Sequence, residues 1–485
     1  MLAYIRKLLK VKRDGNYRVF IIGKISFRIY SRKYAFLELR DIAINIQQRI
    51  NVVEKEIFCQ NDYNLKDSIE NFQNSNLDKF KEIIKRQDYL NQIIYQQLEQ
   101  IKLNNNIIKL NGENAKKESI NLENTINSLQ PNSFLHLSAY TIDNAGDNLL
   151  VTSLRDLIEK VVDVPITWLK KSIREKLSDE TVMLANNTKG IIIGGGGLFL
   201  KDTNANDISG WQWPCAINEL DKLKVPVYYL GLGYNRFRNQ NDFDEVFYNN
   251  INRVVEQASF FGMRNSGSVN AIRGYLREEL KHKVVFQPCA TTILSKIYMI
   301  PPIPYEPLFI AVNCAFDRSD MRYGDRKEEI LKSIAKSLKI FSLTYKIKYY
   351  IHMKSDEEIL PFFDAINLKY ECVYLNKPMS TDDFLRVYSS PTLVWAMRGH
   401  AQLIPFGCGT PTVSIITHDK LGWFLEDVAH KEWGVDVLDS MFEKKLYETT
   451  TYMLENLEKV KHEISIEKDK LWNITVKNLK ENNLI

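Results

Sequence analysis

Gly190-Ile191-Ile192-Ile193-Gly194-Gly195-Gly196-Gly197-Leu198-Phe199-Leu200 is the stretch on which the fold turns. An apolar run of strand length ends in four glycines and then resumes as Leu198-Phe199. A run that is apolar at every position fits a central strand covered on both faces. Glycines at its carboxyl end let the backbone turn sharply and bring bare amides to a ligand. Open α/β sheets place their ligands at such strand ends. A glycine-rich turn without a ligand uses the same residues, so both readings stand at this point.

The text on either side extends the pattern. From Ser133 onward, apolar β-type runs alternate with amphipathic helical text, which is the mark of parallel α/β architecture. Strands are predicted at 134–137, 190–193, 227–230, 259–262 and 284–286. Pro301-Pro302-Ile303-Pro304 reads as a linker. Beyond it the spacing predicts strands at 308–312, 345–352, 372–375, 392–396 and 412–416, with helices at 327–341, 356–366 and 381–387. The expected fold class is therefore α/β, with two Rossmann-like domains over 131–300 and 305–435 facing across a cleft. Amphipathic text over 436–485 is expected to add carboxyl-terminal helices.

The first 130 residues differ in character. Met1 to Lys33 carries ten Lys or Arg residues against the single acid Asp14. Within 1–35, Tyr17, Val19, Ile21, Ile25, Phe27 and Ile29 alternate about a turn at Gly23-Lys24, which predicts a basic β-hairpin. Such a hairpin suits a peripheral contact with anionic lipid, at about 1 kcal/mol per basic residue. It equally suits an edge hairpin packed on the body. Residues 36–130 contain no proline, and Phe80, Ile83, Leu90, Ile94 and Ile101 follow a heptad-like spacing interrupted by Gln87 and Gln97. A helical spacer or weak coiled coil is expected, with the 79–103 segment as a homo-oligomer contact. A helix pair folded against the body fits as well.

The 485-residue chain is 45% hydrophobic and 26% charged, as soluble globular proteins are. A net charge of +5 is small for this length and does not argue for nucleic acid. No run approaches the ~20 apolar residues of a membrane span, and the basic amino terminus lacks the apolar core of a signal peptide. Cys59, Cys215, Cys289, Cys314, Cys372 and Cys408 are scattered without a C-x-x-C pair. Reduced thiols are expected, with neither a disulfide framework nor a metal site. The expected location is cytoplasmic, at the inner face of the membrane if the basic hairpin meets lipid.

Candidate site residues cluster at predicted strand ends. Asn144, Gly146 and Asp147 follow the first strand of the α/β body; Asp147 fits a base toward a hydroxyl, or a helix cap. Gly231 and Gly233 form a second glycine turn. Arg264 ends a strand just before Ser266, Gly267 and Ser268 open a helix, which offers an anion a guanidinium fork beside free amides, or else marks a structural salt bridge. In the second half, Met397-Arg398-Gly399-His400 repeats that logic: Arg398 fits a phosphate or carboxylate, and His400 a proton donor near neutral pH. His418, Asp419 and Lys420 close the set, read equally as site or solvated loop.

Taken in order, Asn144-x-Gly146-Asp147, Gly194 to Gly197 with Leu198-Phe199, Gly231-x-Gly233, Arg264 with Ser268, Met397-Arg398-x-His400-Ala401 and Pro411 to Lys420 with Gly422-Trp423-Phe424 resemble the polysaccharide pyruvyltransferase family. The resemblance covers roughly residues 133 to 430. It implies two Rossmann-like domains arranged as in GT-B-like, two-domain glycosyltransferases. It also implies transfer of the enolpyruvyl unit of phosphoenolpyruvate onto two sugar hydroxyls, giving a pyruvate ketal and free phosphate. Arg264, Arg398 and His400 would bind phosphoenolpyruvate with Ser268 beside them, and His400 and Asp147 would be catalytic. Gly194, Gly195, Gly196, Gly197, Asn144, Gly231, Gly233 and Lys420 would hold donor phosphate or acceptor diphosphate. No cofactor beyond this co-substrate is implied; the partner is a sugar acceptor of a surface polysaccharide, lipid-linked or polymeric.

Three positions depart from the family pattern. Asn265 stands where an acid usually follows the arginine, Gln287-Pro288 replaces an Asp-Pro pattern, and Gly399 replaces a bulkier apolar residue. Two other readings share the architecture or the chain: a GT-B-type glycosyltransferase using a nucleotide sugar, and a catalytically weak scaffold held at the membrane.

Overall fold

The computed structural model describes residues 9–14, 17–22 and 25–30 as strands, and then residues 125–140, 145–301 and 308–482. The chain divides into two compact units, Met1–Asn114 and Ala115–Ile485.

In the first unit, β1 (Leu9–Asp14), β2 (Tyr17–Ile22) and β3 (Ile25–Tyr30) form an antiparallel sheet. Ile22 pairs with Ile25 and Tyr17 with Tyr30, so β2 and β3 are the expected hairpin. The Gly23-Lys24 turn lies outside the described residues. Strand β1 was not expected. Its signal is the alternation of Leu9 and Val11 with Lys10 and Lys12, which is easily taken for a basic run alone. The expected helical spacer and its 79–103 segment lie outside the described residues.

The second unit holds two parallel six-stranded sheets. The first runs β5-β4-β6-β7-β8-β9, with β4 (Ser133–Ser138), β5 (Thr167–Ser172), β6 (Ile191–Phe199), β7 (Val227–Tyr234), β8 (Phe260–Met263) and β9 (Val284–Phe286). The second runs β12-β11-β10-β13-β14-β15, with β10 (Phe309–Asn313), β11 (Lys346–Ile351), β12 (Glu371–Tyr374), β13 (Leu393–Ala396), β14 (Thr412–Ile416) and β15 (Gly434–Asp436). The central strands are buried along their whole length, which is why they read as unbroken apolar runs. Both sheets are doubly wound and Rossmann-like: the second has the order 3-2-1-4-5-6, and the first the related order 2-1-3-4-5-6.

The helices used below are α1 (Ala145–Val162), α2 (Ser266–Arg273), α3 (Lys327–Phe341), α4 (Thr381–Ser389), α5 (Gly399–Cys408), α6 (Asp419–Asp427), α7 (Phe442–Glu455) and α8 (Leu457–Glu481). The helix expected at 356–366 is instead a 3₁₀ turn, Lys354–Ile359, followed by a short α-helix, Leu360–Ala365. Pro361 has no N–H to give, so it opens a new helix and does not continue the old one. Helix α8 returns to the first sheet: Asn478 donates to the Phe286 carbonyl at 2.9 Å. Residues 302–307, which include most of the expected linker, lie outside the described residues. Among the described residues no helix is long and apolar enough to cross a membrane.

Both glycine stretches correct an expectation. Gly194 to Gly197 do not end their strand; they lie inside β6, and Gly231 and Gly233 lie inside β7. The ladders shift register between Gly196 and Phe199 and again between Tyr229 and Leu232. Gly195, Gly196 and Gly231 have φ of +77°, +97° and +65°. Glycine carries each strand through an irregularity that other residues resist.

Candidate active site

Strand order locates the site before any side chain does. In the first sheet the order reverses between β4 and β6, and in the second between β10 and β13. Crevices for ligands open at the carboxyl ends of such strand pairs. Gly146 and Asp147 lie in the first turn of α1, which follows β4, and His400 lies in the first turn of α5, which follows β13. The two ends touch. A Cβ on Gly146 would lie 2.3 Å from His400 Nδ1, and Asp147 Oδ1 is 3.7 Å from the same nitrogen. Asn144 lies outside the described residues.

The glycine run serves packing more than ligand. Added Cβ atoms on Gly194 and Gly195 would meet Leu154 and Leu150 of α1 at 2.3 and 2.6 Å, and one on Gly197 would strike Asn235. The Gly194 carbonyl accepts from Ser138 Oγ at 2.9 Å, and the Gly197 carbonyl from Gln212 Nε2 at 2.9 Å. Only Gly196 of the four faces open space. Gly233 makes room for a charge. Its Cβ would lie 2.4 Å from Arg264 Cζ, so the bare backbone is what lets that guanidinium lie against β7.

A narrow crevice opens between the domains, lined by Arg264 and Asn265 on one side and by Gly399, Gln402, Leu403, Lys420 and Phe424 on the other. Arg264 is 7% exposed and donates through Nη2 to Asn235 Oδ1 at 2.6 Å. That partner is neutral, and among the described residues Arg264 forms no ion pair. Burial pushes its pKa down. Lys420 likewise has neither a hydrogen bond nor an ion pair among the described residues. Its Nζ would lie 3.7 Å from a Cβ on Gly399, over the first turn of α5. Burial, then Arg264 and Arg322, push its ammonium well below the ordinary lysine value. The amino end of a helix is itself a partial positive charge. Three positive features meeting outside any ion pair make an unfavourable arrangement that an anion relieves.

Arg398 is placed otherwise than expected. Its Nε donates to Asp356 Oδ2 at 3.0 Å, its Nη2 also donates to Asp356, and its Nη1 donates to Asp317 Oδ1 at 2.7 Å. Asp356 is fully buried and also accepts the His352 and Met353 amides at 3.0 and 3.2 Å. Burial alone would lower the Arg398 pKa, but the two carboxylates raise it. Asp317, which burial alone would raise, is held at about 2 by Arg322 and Arg398. The fork of Arg398 is thus engaged within its own domain, as a strut beneath Gly399 and His400.

His400 corrects a second expectation. It is 9% exposed, and its Nε2 has no hydrogen-bond partner among the described residues. Burial, then Arg264 and Lys420, push its pKa well below the ordinary value. In these surroundings it is a neutral imidazole and not an imidazolium ready to donate. Burial raises Asp147, with Arg174 and Lys420 acting against it. Ser268 does not line the crevice: it is fully buried, and its Oγ accepts the Tyr234 N–H at 3.0 Å, tying β7 to α2. His418 is buried and stacks on Phe237 at 4.7 Å, Asp419 is exposed at the start of α6, and Lys420 alone of the three lines the crevice.

Two of the three departures acquire local reasons. Asn265 caps α2 through its amide oxygen, which accepts the Ser268 N–H at 2.7 Å, as a carboxylate would. Gln287 accepts from Asn478 of α8 at 3.0 Å, so it anchors the returning helix. Gly399 stands beside Lys420, whose Cε lies 3.4 Å from where a Cβ would be, an ordinary contact that does not itself demand glycine.

Sequence reasoning missed Asp317, Arg322 and Asp356. Arg322 is buried, donating to Thr417 Oγ1 at 2.8 Å and to Asp317 Oδ2 at 2.9 Å. The polar text Asp317-Arg318-Ser319-Asp320 stands just after β10 and carried the same strand-end signal as the other motifs. Asp356 had none: it looks like a residue in the first turn of a surface helix.

A family model described as polysaccharide pyruvyl transferase matches residues 144–419, more than half of the chain. No curated protein sequence matches the chain significantly. Among solved structures, UDP-GlcNAc 2-epimerase from Neisseria meningitidis bound to UDP-GlcNAc is 13% identical, with a TM-score of 0.44 over 73% of this chain and 99% of its own. HepE from Anabaena in complex with UDP and glucose is 11% identical, with a TM-score of 0.44 over the same 73% and 99%. UDP-GlcNAc 2-epimerase from Methanocaldococcus jannaschii is 14% identical, with a TM-score of 0.40 over 66% and 92%. Nothing about the site follows from likenesses this distant.

Proposed function

The chain belongs to the polysaccharide pyruvyl transferase family, and from that premise we propose that it moves pyruvate from phosphoenolpyruvate to a sugar of a surface polysaccharide or its precursor, forming a pyruvate ketal. The observation that carries the reading is the convergence of Arg264, Lys420 and the first turn of α5 in one crevice, with neither side chain in an ion pair among the described residues. Phosphoenolpyruvate brings a phosphate and a carboxylate, and a guanidinium fork with exposed helix amides suits both groups.

In this proposal Arg264, Lys420 and the Gly399 end of α5 hold the donor. Arg398 positions that helix end through Asp356 and Asp317. His400 acts as the base, and this revises the expectation of an acid. Its Nδ1 faces Asp147, and a neutral imidazole with an unpartnered Nε2 accepts a hydroxyl proton. The first sugar hydroxyl attacks C2 of the donor, the second displaces phosphate at the same carbon, and the two C–O bonds make the ketal. A Cβ on Gly196 would meet nothing within 4 Å among the described residues, which leaves that side open to an acceptor.

The test is thermal stability with and without millimolar phosphoenolpyruvate, with nucleotide sugars in parallel. A ligand at 100 times its Kd stabilises the folded state by about 2.7 kcal/mol. A shift with phosphoenolpyruvate that disappears in Arg264→Ala supports the reading. A shift with nucleotide sugar alone moves the function to glycosyl transfer.

A further inference from the structure

We propose that Lys420 is the catalytic acid of the transfer, its ammonium delivering the proton that turns the donor's methylene carbon into a methyl group. The inference rests on the phosphoenolpyruvate reading and fills a step that His400, as a base, leaves open.

Helix α5 presents Gly399, Gln402 and Leu403 to the crevice, an i, i+3, i+4 face. His400 turns from that face, with Nδ1 against Gly146 and toward Asp147, so in this proposal it serves the acceptor hydroxyl and not the donor's methylene carbon. Among the residues lining the crevice only Arg264 and Lys420 carry charged donors, and a guanidinium does not give up its proton. Lys420 is the remaining group. Its Cε and Nζ would stand 3.4 and 3.7 Å from a Cβ on Gly399, which places the amine at the first turn of α5.

The charges around Lys420 come from every wall. Arg264 follows β8, and Asp147 stands on α1. Arg322 and Asp317 follow β10, Arg398 and His400 begin α5, and His418 precedes Lys420 in its own segment. Burial, Arg264 and Arg322 disfavour the ammonium, while Asp317 and Asp147 favour it. These surroundings disfavour the ammonium. A donor carrying phosphate and carboxylate charges reverses that balance, so the bound donor favours the protonated amine beside the carbon that needs its proton.

The step balances without any co-reactant. The Lys420 N–H bond breaks and leaves its electron pair on nitrogen. The π pair of the donor's C2=C3 bond forms the new C3–H bond. The first hydroxyl oxygen supplies a lone pair to C2, and its proton passes to His400 Nε2. The second hydroxyl displaces phosphate, which carries that hydroxyl's proton away. Returning the proton on His400 to Lys420 by way of solvent closes the cycle.

The test uses the full chain with phosphoenolpyruvate at pH 7. Calorimetry in two buffers of different ionisation enthalpy counts protons, and phosphate release with glycerol as a diol surrogate measures turnover. Wild type is expected to bind with uptake of about one proton. Lys420→Met and Lys420→Arg are expected to bind within about tenfold, without that uptake, and to turn over at least about 100-fold more slowly. His400→Gln keeps the uptake. Uptake retained in Lys420→Met, or Lys420→Arg turning over within about threefold of wild type, overturns the assignment. Wild type that gives no binding signal with phosphoenolpyruvate overturns the donor reading itself, and the acid role with it.

Discussion

Two strand-end arginines read alike and are built in opposite ways. Phe261-Gly262-Met263-Arg264-Asn265-Ser266 and Trp395-Ala396-Met397-Arg398-Gly399-His400 both run from a buried strand through Met-Arg into a helix. Arg264 meets one neutral amide, and its charge stays available to the crevice. Arg398 meets two carboxylates, one of them fully buried. The first arginine stands at the crevice outside any ion pair among the described residues, and the second is tied to two carboxylates of its own domain. A motif at a strand end therefore says where a side chain stands and not which charge it will face.

The difference can be broken most forcefully at Arg398. Removing one partner of a buried pair strands the other, at about 3–5 kcal/mol. Arg398→Ala is expected to lower stability by that order in chemical denaturation, and Asp356→Asn to follow in the same direction. An Arg398→Ala protein as stable as wild type would make the two arginines equivalent after all.

Arg264→Ala is the converse. It removes a buried charge that forms no ion pair among the described residues, so stability should move little, by less than about 1 kcal/mol. Phosphoenolpyruvate affinity should fall about 100-fold, the loss of roughly 2–3 kcal/mol of charge-assisted bonding. Titration calorimetry of the two variants side by side reads the contrast directly.

Gly233→Ala sharpens the comparison without touching either charge. Its Cβ would lie 2.4 Å from Arg264 Cζ. The guanidinium must shift, which should weaken donor binding while costing about 1–3 kcal/mol of stability. Binding unchanged in this variant would mean that the position of Arg264 does not matter.

The smallest effect concerns Asp427, which accepts the Ser266 N–H at 3.1 Å at the amino end of α2. Burial raises its carboxyl from 3.8 to about 6. Its folded value thus lies above its unfolded one, so the folded state keeps the proton where the unfolded chain has lost it. Stability contributed by this group is full below about pH 4 and declines as pH rises to about 6. Asp427→Asn should flatten the midpoint of thermal unfolding across that window, and an unchanged slope would refute the assignment.

Much of the architecture was legible because it is local. Whole-strand apolar runs marked β4, β7, β10, β13 and β14, and the helices α3 and α4 stand where their periodicity predicts. Strands β5 and β15 were not foreseen. The residues of β5, Thr-Trp-Leu-Lys-Lys-Ser, are nowhere fully buried, and β15 has only three residues, so neither carries a continuous apolar signal. The glycine run was recognised, with a ligand turn and a ligand-free turn both left open, but its place inside a strand was not foreseen. Nothing in four consecutive glycines says that Leu150, Leu154 and Asn235 will press against three of them.

The site divides in the same way. The charged groups gathered around the crevice were readable in the chain: Arg264, Arg398, His400, Asp147 and Lys420 all stand near the carboxyl ends of strands, a position set by short-range periodicity, though only Arg264 and Lys420 of the five line it. Their charge states were not readable. Whether His400 is an acid or a neutral base, whether Arg398 is free, and whether Lys420 has a counter-ion depend on groups far away along the chain. Asp317 and Arg398 are 81 positions apart, and Arg322 and Thr417 are 95. The sequence by itself determined which chemistry could be assembled, since strand ends and helix starts follow from local pattern. The tertiary structure alone decided which groups carry charge, because desolvation and Coulomb interaction act through distance in space and not through distance along the chain.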